Sequence, residues 1–197
     1  MTPAQPEQAR SVERRSHLLT AATALLLSAG SQAVTHRRVA QDSESSLGAV
    51  RYYFSSREEL LAACLEEIEV KRVEHAEHLL DHLPEGGITA ERVARCAVEI
   101  YYGTDLEDAA VTGMVRIVMD CSRESAHMAA QLGAFRHAAQ MQLGRLLRQT
   151  GYSHLTLSLV TAVIDGRIMS AALEGEPGAA RIAMDELVSL FNATSGR

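Results

Sequence analysis

The chain has no tryptophan, and aromatic side chains make up only 4% of its 197 residues. Strands draw on aromatic and β-branched side chains. Their scarcity beside abundant Ala and Leu points away from sheets and toward packed helices. Cysteine is sparse too. Cys64, Cys96 and Cys121 are odd in number and far apart, which argues against a disulfide framework and for a reducing cytoplasm. No apolar run approaches the length of a membrane span, and the stretch 18–27 is short and broken by Thr20 and Thr23. The N-terminus is polar and lacks the apolar segment of a signal peptide. Nothing resembles a nucleophilic triad, a phosphate loop or a CxxC pair, so the expectation is a non-enzyme without a cofactor or resident metal.

What is present is a 47% hydrophobic composition, enough to bury a core, in a length that suits one domain or a small domain joined to a larger one. The net charge of −6 argues against nucleic acid until it is divided. Residues 1–57 carry Arg10, Arg14, Arg15, Arg37, Arg38, Arg51 and Arg57 against four acids, a balance of +3, and the remainder stands at −9. Basic charge is thus segregated at one end of the chain, and the acidic part would be repelled by phosphate.

Within the basic end, residues 34–61 read as two short helices joined by a tight turn, an aromatic cluster, and the start of a long helix. Thr35 can cap the first helix, whose leading N–H groups lack internal partners. Ser43, Glu44 and Ser45 fall at the turn, and Ser46 can cap the second helix, expected over 46–52. That helix carries small residues at Gly48 and Ala49, which let its backbone come close to a groove floor. Tyr52, Tyr53 and Phe54 follow, and Ser55-x-x-Glu58 and Ser56-x-x-Glu59 both match a capping box. A helix-turn-helix sets its second helix in the DNA major groove while the first braces it. Upstream, 11–29 has helical periodicity and ends at Gly30, while the Pro- and Gln-rich residues 1–8 read as a disordered tail. Arg10, Arg14 and Arg15 are then either a minor-groove or phosphate arm or a solvated tail.

The succession Val39-Ala40, Ser46-Leu47-Gly48-Ala49-Val50-Arg51-Tyr52-Tyr53-Phe54, Ser56-Arg57-Glu58-Glu59-Leu60-Leu61 resembles the DNA-binding segment of TetR-family transcriptional regulators, over residues 14–65. Three positions depart from it. The family's Ala-Gly-Val turn is Ser43-Glu44-Ser45, so Glu44 must take a backbone conformation that suits glycine. Leu47 stands for a Lys or Arg and Ala49 for a Thr, which shifts sequence reading toward Arg51 and Arg37. The resemblance implies an all-α fold: a three-helix head at 1–56 and a helical ligand-binding and dimerisation body at 57–197. It implies a cytoplasmic homodimer whose partners are a double-stranded, palindromic DNA operator and a small-molecule effector that releases it, with no membrane. Thr35, Arg37, Ser46, Gly48, Ala49, Arg51, Tyr53 and Arg57 would touch DNA. Arg51 would meet a base, Arg37 and Arg57 would meet phosphates, and the hydroxyls of Thr35 and Tyr53 would donate.

Beyond the head, helices are expected over 57–83, 89–102, 108–120, 124–149, 154–173 and 178–193. Methionine is an adaptable filler of irregular cavities, and a Met-bearing helical body with a few polar groups suits a small-molecule pocket. Candidate lining residues are Tyr101, Tyr102, Arg116, His127, Phe135, His137 and Met169. The last two helices match the family's dimer pair, with Leu159, Ala162, Gly166, Ser170, Leu187 and Leu190 as interface candidates. Two other readings are an all-helical enzyme with a metal on His75, His78 and His82 beside Glu74 or Glu77, and a protein-binding adaptor. The histidine spacing of i, i+3 and i+7 shares one helix face, which also suits plain boundary residues, and Lys71 on that side would repel a cation.

Overall fold

A computed structural model describes residues 5–84 and 86–194, with side chains from residue 8 onward. Among the described residues there are nine α-helices and no strand. They are α1 (Gln5–Ala29), α2 (His36–Asp42), α3 (Leu47–Tyr53), α4 (Arg57–Asp81), α5 (Ala90–Tyr102), α6 (Asp108–Ser122), α7 (Ala126–Gln149), α8 (Leu157–Glu174) and α9 (Ala179–Thr194). The expected boundaries hold to within a few residues, with one correction. α1 begins at Gln5, so the tail read over residues 1–8 is at most residues 1–4, which lie outside the described residues. Gln and Glu are good helix formers and a proline is tolerated in a first turn, so the polar composition there does not prevent a helix.

The chain divides into two compact units, Met1–Ile68 with Ile117–Ala129, and Glu69–Arg116 with Ala130–Arg197. The chain boundary falls within α4 rather than at its start. In the first unit α1, α2 and α3 pack in sequence. Leu18, Ala22, Leu26, Val34, Val39, Val50, Phe54, Leu60 and Leu61 are buried there. Ser56 Oγ accepts from the Glu59 N–H, and the Glu59 carboxylate accepts from Ser55 N–H and Oγ, so the second of the two capping boxes starts α4.

The second unit is built on one large core. Val93, Ala97 and Ile100 of α5, Leu143 and Leu146 of α7, Val160, Ile164 and Ile168 of α8, and Leu187 and Phe191 of α9 all enter it. Arg72 of α4 is buried in the same unit and donates to Glu69, to the Ile100 carbonyl and to Gln142. The three histidines of α4 do not converge. His75 meets Glu99 at 3.2 Å, while His78 and His82 stack with ring centroids 4.2 Å apart. No group of three His, Cys, Asp or Glu among the described residues is placed to hold a metal ion.

Asp108, the first residue of α6, accepts the N–H groups of Gly178 and Ala179 at 2.7 and 2.8 Å and so caps α9 from another element. Those two donors favour the charged form and hold the Asp108 carboxyl below its ordinary value of 3.8. A depressed folded-state pKa gives stability that is present above the unfolded value and lost as pH falls through the folded one. Acid titration of unfolding below pH 3.8 should therefore show the wild type losing more stability than Asp108→Asn, which has no proton to gain there.

Candidate nucleic-acid interface

Thr35 Oγ1 accepts the Arg38 N–H and caps α2, and Ser46 Oγ accepts the Ala49 N–H and caps α3. Val39, Ala40 and Val50 face the interior. The opposite faces are left outward. Arg37, Ser46, Gly48 and Arg51 are exposed, Ala49 is half-buried, and Tyr52 stands 80% exposed. Gly48 is informative. A Cβ built there would meet nothing nearer than Ser46 Oγ at 3.9 Å, so the chain's own packing does not require a glycine. A close external approach would.

The first helix braces the recognition element at both ends. Ser11 Oγ lies 3.2 Å from the Tyr53 hydroxyl, the Arg15 guanidinium sits 5.0 Å from the centre of the Phe54 ring, and His17 Nε2 donates to the Ser43 carbonyl. His36 holds the Phe54 carbonyl from α2 at 2.8 Å. Arg38 pairs with Asp42 one turn on. Between α2 and α3, Glu44 has φ of 50°, alone in the left-handed region among the described non-glycine residues.

Arg57 also serves the protein's own packing. Its Nε donates to the Val34 carbonyl, Nη2 to the Ser31 carbonyl, and Nη1 to Glu124 at 2.8 Å. Three of the five guanidinium N–H groups are engaged within the first unit, and the side chain is 30% exposed. Arg57 thus ties the start of α4 to residues 31–34 and to Glu124. Position along the chain could not reveal this, because the partners lie 23, 26 and 67 residues away.

The remaining candidates are less tightly grouped. Tyr101 is half-buried and its hydroxyl lies 3.1 Å from Thr161 Oγ1. The Arg136 guanidinium sits over its ring at 5.9 Å and pairs with Asp165. Burial, the largest cause, raises the pKa of both Tyr101 and Tyr102. Arg136, Thr161 and Asp165 went unnoticed in the sequence because nothing local ties them to Tyr101. Arg116, His127 and His137 are exposed, Phe135 is half-buried, and His127 falls in the first unit while the others fall in the second. Of the interface candidates, Leu159, Ala162 and Gly166 are exposed, and Ser170 and Leu190 are half-buried. Leu187 is fully buried in its own core, so it has no surface to offer a partner.

Residues 18–64 match the family model described as bacterial regulatory proteins, tetR family. Over that stretch, about a quarter of its length, the chain is similar to TetR-family regulators. Leu18 to Cys64 run from the middle of α1 through α2 and α3 to the first turns of α4, so the matched stretch contains the helix-turn-helix. Among curated proteins, the chain is similar to the HTH-type transcriptional regulator PksA of Bacillus subtilis (strain 168). The two are 24% identical over 180 residues, covering 86% of this chain and 83% of that protein. Among solved structures it is similar in fold to a transcriptional regulator from Saccharomonospora viridis in complex with choline. That likeness has a TM-score of 0.74 at 18% identity and covers 93% of this chain and 97% of that one. The multidrug binding protein EbrR complexed with malachite green shares the fold at a TM-score of 0.64 and 20% identity, over 90% and 98% of the two chains.

Proposed function

We propose that this regulator is a cytoplasmic repressor that binds a palindromic DNA operator as a homodimer and is released from it by a small molecule. The observation that carries the reading is the outward face of α3, where Arg51 and Gly48 are exposed and have no role in the protein's own packing. Arg37, Thr35 and Tyr53 flank that face. Backbone contacts would fix the register of the head, and Arg51 at a base edge would supply sequence.

The dimer is supported by α8. Val160, Ile164, Ile168 and Ala171 bury one side of this helix, while Leu159, Met169 and Leu173 are 44, 36 and 79% exposed on the other. Ala162 and Gly166 between them would let a second copy come close. A two-fold pair would present two heads to two half-sites, which is why a palindrome is expected. The effector is supported by the related folds that hold choline and malachite green, and by the body's polar group of Tyr101, Thr161, Arg136 and Asp165. An effector acts only through its different affinity for the bound and free forms. Among the described residues no helix is long and apolar enough to cross a membrane, in keeping with a regulator that works where the chromosome is.

Selecting genomic fragments with the purified full chain tests it. An inverted repeat should be enriched, and the logarithm of the binding constant should fall linearly with that of salt, by about 0.9 per phosphate neutralised. Absence of any enriched sequence, or binding indifferent to salt, would overturn the reading.

A further inference from the structure

The turn between α2 and α3 keeps the geometry of a glycine turn without a glycine. The Ser45 N–H donates to the Ala40 carbonyl at 2.8 Å and the Glu44 N–H to the Gln41 carbonyl at 3.2 Å. That pair of bonds closes a helix through one residue in the left-handed region, ordinarily glycine, and is commonly accompanied by an apolar contact from the next position. Here the left-handed residue is Glu44 and the next is Ser45, so both usual supports are missing. An L side chain in that region is strained. Something else must hold the turn, because its angle aims α3.

The structure supplies a polar substitute centred on Ser43. Its carbonyl accepts from Ser45 Oγ at 3.1 Å and from His17 Nε2 of α1, also at 3.1 Å. Its own Oγ donates to the Val39 carbonyl at 2.6 Å, and the residue is buried. Of these bonds, that of His17 alone ties the turn to a separate helix. The same α1 reaches the far end of α3 through Ser11 and Arg15.

We propose that His17 is a positioning residue for DNA reading: its hydrogen bond to Ser43 takes over from the missing glycine and apolar contact in setting the tilt of α3. Base-edge contacts depend on that tilt, whereas contacts to a charged backbone tolerate small rotations. The inference rests on α3 being the reading helix. His17 matters through the turn, so its importance should disappear once the turn is given its glycine.

The test uses the full chain as wild type, His17→Ala, His17→Gln, Glu44→Gly and the double variant His17→Ala/Glu44→Gly. The probe is a duplex selected from random DNA by the wild type, compared with an unselected duplex, at a temperature where circular dichroism shows every variant folded. His17→Ala should lower the selected-to-random affinity ratio roughly fivefold, the equivalent of one ordinary hydrogen bond. His17→Gln, which keeps an N–H donor, should retain the ratio. Glu44→Gly should raise the melting temperature by about 2 °C by relieving the strained residue. It should also restore the ratio in the His17→Ala background, a non-additive result expected of residues acting on one element. An unchanged ratio in His17→Ala, an equal loss on both duplexes, or a double variant no better than His17→Ala would each overturn the proposal. Should His17→Ala fail to fold, His17→Gln and the double variant decide it. If the wild type selects no duplex at all, the DNA-reading assignment fails instead.

Discussion

Arg72→Ala is expected to lower the unfolding free energy by about 3–5 kcal/mol, the cost of removing one partner from a buried ion pair. Arg72 is 8% exposed. Its Nε and Nη2 form two bonds to the Glu69 carboxylate at 2.7 and 2.6 Å, and Nη1 reaches the Ile100 carbonyl at 2.6 Å and Gln142 Oε1 at 2.8 Å. One guanidinium thus links α4, α5 and α7 within the second unit. Truncation would leave a carboxylate, a backbone carbonyl and an amide oxygen buried with fewer donors, and unsatisfied buried groups cost more than their bonds contribute. Gln142 also donates to Glu77, whose other oxygen takes Arg145, so the loss would spread along a chain of charges.

The origin of the effect can be separated from the net worth of the pair. Replacing both members, as Glu69→Leu with Arg72→Met, removes the stranded carboxylate along with its partner. Such a swap is often neutral, so the double variant should be more stable than Arg72→Ala even though it lacks the same hydrogen bonds. Urea unfolding checks this through the midpoint, provided the slope is unchanged. Equal midpoints for the two variants would show that the isolated Glu69 charge is not what destabilises Arg72→Ala.

Arg72 also marks where sequence reading stops. Helical periodicity puts Leu61, Cys64, Leu65, Ile68, Ala76, Leu79 and Leu83 on one apolar face of the long helix; Ile68 and Leu83 are half-buried and the other five are buried. The same periodicity treats a charged residue on such a helix as solvated, because it cannot see a carbonyl on α5 or an amide on α7. The internal partners of Arg57 are hidden from the sequence for the same reason, and so is the meeting of Arg136 with Tyr101 and Asp165. Caps and turns were legible because their partners are close along the chain: Thr35 with Arg38, Ser46 with Ala49, Ser56 with Glu59. The strain at Glu44 was legible too, from a missing glycine. The support given by His17, 26 residues upstream of Ser43, was not.

Arg51→Ala should relax sequence preference with little effect on folding. Its side chain is exposed in the last turn of α3, on the face away from Val50. An arginine held there can form two bonds to the O6 and N7 edge of a guanine, a pairing that discriminates by about 1–3 kcal/mol per base. A dimer carries it twice, so the selected-to-random affinity ratio should fall by at least tenfold, with melting temperature unchanged. Arg57→Ala makes the contrast. With its guanidinium holding Val34, Ser31 and Glu124, its loss should lower stability first and impair DNA binding only as the head loosens. Titrating both variants against selected and random duplexes, beside their melting curves, distinguishes the roles. If Arg57→Ala kept wild-type stability and weakened binding to every duplex alike, it would be a phosphate contact after all. If Arg51→Ala left the ratio intact, bases would have to be read by a different part of the head.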